Sequence, residues 1–170
     1  MSPVVIVVGL VALERLGELA LSARNTRLLL EQGAHEAGRG HFPLFILLHG
    51  GWLVAMLAAA PGDGTIHWAA AAVFALLQVL RVWVLATLGG RWTTRIIVLP
   101  GAPLVQSGPY RYLRHPNYLV VVGEIAALPL VFGEWQVAAV FTVLNGVLLA
   151  WRIKVEEAAL APQRGVSARL

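Results

Sequence analysis

The sequence predicts an all-α integral membrane protein of about five transmembrane helices, the last two forming a tight helical hairpin. Three observations lead there. Apolar residues make up 58% of the 170 residues and charged residues only 13%, against about 25% charged in an average soluble chain. The apolar residues fall in blocks close to the roughly 20 residues that a helix needs to cross a bilayer. The basic residues gather in alternate connections between those blocks, as the positive-inside rule requires of a multi-pass chain.

The first block covers residues 3–21. It follows Met1-Ser2-Pro3, which has no basic residue, and Glu14, Arg15 and Glu18 interrupt it, so it reads as a span and not as a signal peptide. The second block covers residues 42–60 and carries Gly50-Gly51, a pair expected to permit close helix packing. Pro61-Gly62-Asp63-Gly64 is a turn, and the third block follows over residues 66–88. The fourth and fifth, residues 118–132 and 135–151, are short and joined only by Gly133-Glu134, hence the hairpin. Pro116 opens the fourth, because a missing N–H costs nothing in the first turn of a helix.

Arg24, Arg27 and Arg39 lie in the first connection. Arg91, Arg95, Arg111 and Arg114 lie in the third, and Arg152, Lys154, Arg164 and Arg169 follow the last block. The second connection and the Gly133-Glu134 turn carry no Lys or Arg. The first and third connections and the C-terminus are therefore expected to be cytoplasmic and the N-terminus outside. Trp68, Trp92, Trp135 and Trp151 fall near block ends, as an aromatic belt places them. One domain, residues 1–170, is expected, with a polar loop over 89–117 and a polar segment over 152–160. This topology accounts for the net charge of +4 without nucleic acid. Without Cys there is no disulfide or thiolate site. His35, His41, His49, His67 and His115 form no close ligand pair with a carboxylate, so no metal is expected.

Charges within the blocks have a cost. A charged side chain at the bilayer centre costs at least ~2.5–3.5 kcal/mol, so it faces a protein interior and a partner. Glu14 and Glu18, four apart, share a helix face beside Arg15; Gln78 and Arg81 share another, and Glu124 lies early in the fourth block. A packing network and a role in a binding site are both open, and Glu18 and Glu124, nearer the cytoplasmic ends, could also snorkel.

Two polar clusters remain. Ser107-Gly108-Pro109-Tyr110-Arg111-Tyr112-Leu113-Arg114-His115-Pro116-Asn117-Tyr118 is rich in Arg, His and Tyr. His115 sits at a helix entry beside backbone N–H groups that can bind an anion, and Tyr110 and Tyr118 offer faces for stacking and hydroxyls for hydrogen bonds. The preceding Leu99-Pro100-Gly101-Ala102-Pro103-Leu104 reads as a rigid, extended loop. In Arg152-Ile153-Lys154-Val155-Glu156-Glu157, Arg152 and Glu156 share a helix face. Composition alone leaves a juxtamembrane anchor and a solvated salt bridge as readings beside a ligand site.

Gly108-Pro109-Tyr110 with Arg114-His115-Pro116-Asn117-Tyr118, a hairpin, and then Arg152-x-x-x-Glu156-Glu157 resembles the isoprenylcysteine carboxyl methyltransferase family. The small bacterial branch is similar also at Arg15-Leu16-Gly17-Glu18, Arg24-Asn25, Gly40-His41-Phe42-Pro43 and Arg95-Ile96-Ile97-Val98-Leu99-Pro100-Gly101-Ala102-Pro103. The resemblance implies an integral membrane enzyme that uses S-adenosylmethionine and releases S-adenosylhomocysteine. Its motif positions imply that Ala102, Pro103, Leu104, Val105, Tyr110, His115, Pro116, Asn117, Tyr118 and Glu156 contact the cofactor. Arg152 and Glu156 are the implied catalytic pair. Arg152, with Glu18 and Arg15, is implied on the acceptor side. The aromatic-rich tail of the prenylcysteine enzymes is missing after Glu157, where Pro162-Gln163-Arg164-Gly165 reads as a frayed tail. This favours the bacterial branch, associated with O-methylation of long-chain alkylpyrones and alkylresorcinols and so with coupling to a type III polyketide synthase.

Methyl transfer from a sulfonium is an in-line displacement that needs an oxygen nucleophile held against the methyl group with water excluded. An ionised carboxylate or hydroxypyrone enol needs no strong base, whereas a neutral phenol does. Arg152 is expected to orient the acceptor through charged hydrogen bonds. Glu156 is expected to bind cofactor or serve as base, and the lipophilic acceptor is expected to enter from membrane lipid. An NADPH-dependent membrane reductase and a non-catalytic lipid-binding module are the alternatives.

Overall fold

The computed structural model describes residues 2–60 and 65–167, with side chains described except at His41 and 163–167. The turn expected at Pro61-Gly62-Asp63-Gly64 lies outside the described residues, as does Arg169. Five helices carry the fold: α1 (Pro3–Glu31), α2 (Phe42–Ala59), α3 (Trp68–Leu88), α4 (Pro116–Val131) and α5 (Trp135–Ser167). Short 3-10 turns fall at Arg39–His41, Gly89–Arg91 and Gly108–Arg111. Helix α2, helix α3 with the turn after it, and α5 over Trp135–Pro162 are each long and apolar enough to cross a membrane. Helix α4, with 16 residues, measures about 24 Å at 1.5 Å per residue. Helix α1 is long enough, but Glu14, Arg15 and Glu18 break its apolar run.

Two helices are longer than the apolar blocks. Helix α1 continues to Glu31 because its last turns are anchored and not solvated. Asn25 donates through Nδ2 to the carbonyls of Gly89 (3.1 Å) and Trp92 (2.8 Å). Ser22 Oγ meets Thr94 Oγ1 at 2.8 Å and accepts from the Thr94 amide at 2.8 Å. Helix α5 runs unbroken to Ser167 with Pro162 inside it, where a frayed tail was expected. Arg152 is buried against α4, and this packing carries the helix past the end of its apolar block.

A two-stranded ribbon stands beside the helices. Strand β1 (His35–Ala37) pairs antiparallel with β2 (Ile96–Val98) in the register His35↔Val98, Glu36↔Ile97, Ala37↔Ile96. Arg95 Nη1 donates to Glu36 at 3.2 Å. The ribbon clamps the start of the loop that leads to α4.

The α4–α5 hairpin closes at Gly133, whose φ of +75° is the left-handed conformation that glycine adopts without a Cβ penalty. There the amides of Gly133 and Glu134 donate to the carbonyls of Leu130 (3.2 Å) and Pro129 (3.0 Å). The glycine that closes a helix contact is Gly123 and not Gly50-Gly51. A Cβ on Gly123 would meet Leu77 of α3 at 2.7 Å, whereas one on Gly51 would stand at ordinary contact from Phe141 and one on Gly50 in open space. The core joins Val4, Val8 and Val11 of α1 to Leu48, Trp52 and Met56 of α2 and to Ile125, Leu128 and Val131 of α4. It fills the half of the bundle near the hairpin turn and leaves the other half for the polar site. Outward-facing Leu13, Leu47, Leu76, Val79, Val143 and Val147 are exposed, which suits lipid contact and not water.

Candidate active site

The first turn of α4 sets the geometry. His115 precedes Pro116, and its carbonyl accepts from the amides of Tyr118 (3.1 Å) and Leu119 (3.3 Å). This brings the His115 and Tyr118 rings into a stack, 5.3 Å between centroids and 15° apart. Opposite stand Arg152 and Glu156 of α5. Arg152 Nε donates to the Tyr118 hydroxyl at 2.9 Å, and that hydroxyl donates to Glu156. Arg152 and Glu156 are thus joined through Tyr118, where spacing alone allows a direct pair. Glu156 Oε1 lies 3.9 Å from His115 Nδ1, and Glu157 lies 3.7 Å from His115 Nε2.

Two cavities flank this chain of side chains. The larger, about 440 Å³, is lined by Ala102, Pro103, Leu104, Val105, Tyr110, His115, Asn117, Tyr118, Arg152 and Glu156. The structure therefore brings together every cofactor candidate read from the sequence except Pro116, which is fully buried. Arg91 Nη1 donates to the Pro103 carbonyl at 2.7 Å, pinning the loop; Leu99-Pro100-Gly101 folds into a turn where an extended path was expected. Burial, with the Glu156 carboxylate second, pushes the Tyr110 phenol above its ordinary range, so it stays a proton donor. Asn117 Oδ1 and His115 Nε2 are buried without a hydrogen-bond partner. Such atoms carry an unmet cost, and a polar ligand of matching donors and acceptors would remove it. Arg91, Arg95 and Arg114 also line this cavity. The sequence placed Arg95 and Arg114 within the motifs of the resemblance and Arg91 in the third connection, but named none of them as a site residue, because charge counts do not tell which cation turns inward.

The second cavity, about 340 Å³, is largely apolar. Its walls are Ala12, Leu16 and Leu19 of α1, Phe45, Ile46, His49, Gly50 and Leu53 of α2, Val121 of α4 and Leu149 of α5. It shares Trp92, Thr93, Asn117, Tyr118 and Arg152 with the larger one. Arg152 stands on the partition, its guanidinium carbon 5.5 Å from the Phe45 ring.

Arg15 and Glu18 border the apolar cavity, but their charged groups meet other residues of the chain. Arg81 Nη1 donates to both Glu18 oxygens at 2.7 and 2.9 Å, and its Nε donates to Glu124 at 2.8 Å while Nη2 pairs with the same carboxylate. Arg15 reaches Glu18 at 2.9 Å, Glu14 at 3.3 Å and Glu124 at 3.4 Å. The Gln78 amide, turned to satisfy its neighbours, donates to Glu14 and Glu124 at 3.2 Å each. This network ties α1, α3 and α4 together, the arrangement intramembrane charges require. Among the described residues, no three His, Asp or Glu side chains gather as metal ligands.

The isoprenylcysteine carboxyl methyltransferase (ICMT) family profile matches residues 69–162. Similar over nearly the whole chain is YpbQ, an uncharacterized protein of Bacillus subtilis strain 168, 35% identical over 159 residues that cover 91% of this chain and 95% of the relative. An uncharacterized protein of Haemophilus influenzae is 26% identical over 152 residues, 86% of this chain and 88% of the relative. No solved structure matches. The profile covers α3, the loop, α4 and the cavity-lining part of α5, the segments that build the larger cavity, and on this match the chain belongs to the isoprenylcysteine carboxyl methyltransferase family of membrane methyltransferases.

Proposed function

We propose that the protein transfers the methyl group of S-adenosylmethionine to an oxygen of a lipophilic acceptor. A carboxylate, enol or phenol on a prenylcysteine-like molecule or a long-chain polyketide lipid would serve, the latter implying coupling to a type III polyketide synthase. The observation that carries this reading is the junction of a polar and an apolar cavity at Asn117, Tyr118 and Arg152. A polar cofactor and a lipid can meet there and nowhere else among the described cavities. Both volumes fall within the roughly 300–1,000 Å³ of ordinary ligand sites.

The residues of the larger cavity fit the cofactor. Asn117 Oδ1 is an acceptor without a donor, the Tyr110 phenol is a donor, and Arg91, Arg95 and Arg114 supply positive charge for a carboxylate. When bound, S-adenosylmethionine supplies an electrophilic methyl group on a sulfonium. The chain's own residues do the remainder. Arg152 holds the acceptor oxygen at the partition through charged hydrogen bonds. Tyr118, bonded to Arg152 and Glu156, fixes both groups in one orientation. For a phenolic acceptor the proton passes to the Glu156 carboxylate, directly or through the Tyr118 hydroxyl; a carboxylate acceptor carries none to remove. Phe45, Leu16 and Leu149 exclude water from the acceptor side.

The positive-inside rule supports a site facing the cytoplasm of a bacterial inner membrane, with the N-terminus outside. The test is titration calorimetry of the purified protein in nanodiscs with S-adenosylmethionine and with NADPH, followed by transfer of labelled methyl to lipid acceptors. S-adenosylmethionine should bind, and Arg152→Ala should remove transfer while leaving a folded protein. Binding of NADPH alone would replace the methyltransferase reading with a reductase, and binding of neither would leave a lipid-binding module.

A further inference from the structure

Five residues line both cavities: Trp92, Thr93, Asn117, Tyr118 and Arg152. Thr93 Oγ1 donates to the Arg95 carbonyl at 2.7 Å, and the Tyr118 hydroxyl joins Arg152 to Glu156. Two of the five hold a buried polar atom without a partner, Asn117 Oδ1 and Trp92 Nε1. The first has a use as an acceptor for the cofactor. The second is an indole N–H, which only donates. Trp92 is 3% exposed, and its backbone is pinned. Its amide donates to the Gly89 carbonyl at 3.1 Å, and its carbonyl accepts from Asn25 of α1 at 2.8 Å.

A tryptophan that only fills space is the simpler account, and Trp52 is the comparison. Its Nε1 is also buried without a partner, but Trp52 belongs to the apolar core and lines neither of the two cavities. Trp92 lies outside that core and stands where the cavities meet. A buried indole N–H ordinarily has an acceptor. Away from the junction, the polar side chains of the apolar cavity bond within the protein. Arg15, Glu18 and Arg81 pair with one another, Thr94 with Ser22, and His49 with the Phe45 carbonyl. An oxygen on a lipid in that cavity therefore has its partners at the junction.

We infer that Trp92 donates a hydrogen bond through Nε1 to the reacting oxygen of the acceptor, beside Arg152. This rests on the reading that the apolar cavity holds the acceptor. In the transfer that oxygen gives an electron pair to the methyl carbon, the carbon–sulfur bond breaks with its pair left on sulfur, and Trp92 keeps its proton throughout. An ionised oxygen loses its charge as the new bond forms. A hydrogen bond to it is therefore stronger in the bound ground state than in the transition state, and lowers KM without raising kcat. Loss of the N–H thus has a signature that loss of packing lacks: KM rises while kcat stays level or climbs.

The test replaces Trp92 of the full chain by 3-benzothienylalanine, which keeps the bicyclic shape and puts sulfur in place of the N–H. The same replacement at Trp52 is the control. In nanodiscs carrying hexadecanoate or 3-pentadecylphenol, lipid affinity is read from the thermal midpoint as the mole fraction rises, and kcat and KM from methyl transfer. The nitrogen-15 spectrum of the wild-type indole N–H groups, with the Trp92 signal identified by its loss on replacement, follows each lipid without cofactor. That signal should move downfield while the Trp52 signal stays. In the Trp92 variant the affinity for hexadecanoate should fall about tenfold or more, the worth of a hydrogen bond to a charged group, with kcat at or above wild type; the Trp52 variant should keep wild-type affinity and kcat. A Trp92 signal that neither lipid moves overturns the inference. So does an unchanged affinity, or a fall in kcat at unchanged KM, which would make the ring a packing element. If lipid moves the Trp92 signal while S-adenosylmethionine fails to bind, the methyltransferase reading falls and Trp92 remains the donor to the lipid oxygen.

Discussion

Tyr118→Phe removes a single oxygen and isolates the link between the two halves of the site. The ring remains and keeps its stack on His115, so the fold has no reason to change. Arg152, only 8% exposed, loses the acceptor of its Nε, and Glu156 loses a donor. A buried hydrogen-bonding group left unmet costs about 1–3 kcal/mol, and each 1.36 kcal/mol is tenfold in rate. The variant should therefore lose about 5- to 150-fold in kcat/KM. The assay is transfer of tritiated methyl from S-adenosylmethionine to a phenolic and to a carboxylate acceptor, with cofactor affinity by calorimetry. If Glu156 receives the proton, kcat falls more for the phenol than for the carboxylate. If Glu156 only holds the cofactor, the loss lies in cofactor affinity and is the same for both acceptors. Turnover within twofold of wild type on both, in a protein that melts at the same temperature, would refute the reasoning.

Arg81→Met leaves Glu18 and Glu124, both buried, without their main partner. It should destabilise by about 3–5 kcal/mol, read as a lower thermal midpoint in detergent, and adding Glu18→Gln with Glu124→Gln should restore much of the loss; an unchanged midpoint contradicts the network. Glu134, at the hairpin turn, has both oxygens buried without a partner, and burial pushes its carboxyl up to about 7. Because the folded state holds this proton more tightly than the unfolded state, its contribution to stability is full below about pH 4.5 and is lost as pH rises through about 7. Glu134→Gln should flatten the fall in midpoint between those values and be the more stable protein at pH 8; parallel pH profiles would count against it. Since the chain has no Cys, single cysteines at Thr65 and Gln106 should react with an impermeant maleimide from opposite faces of the membrane, and labelling from one face would break the proposed topology.

The membrane helices were legible because apolar blocks of span length have few other physical outcomes. The two polar clusters were legible because Arg, His and Tyr at block ends are unlike their surroundings. Lost to the sequence was what depends on distant pairing. Strands β1 and β2 have three residues each and join positions more than fifty apart, too short for any periodicity to announce. Ser22 and Asn25 lie beyond the first apolar block, and their partners come from the distant loop at 89–94. Glu14, Glu18, Arg81 and Glu124 were each legible as needing a partner, yet which partner took the helix packing to decide.

The two cavities draw on different stretches of the chain. The polar one is built almost wholly within residues 88–160, inside or beside the stretch that the family profile matches, whereas α1 and α2 wall more than half of the apolar one and lie outside it. Selection can therefore reshape residues 12–53 to suit a new lipid without disturbing the methyl-donor half. Descendants of one ancestor can diverge in what they modify while keeping how they modify it.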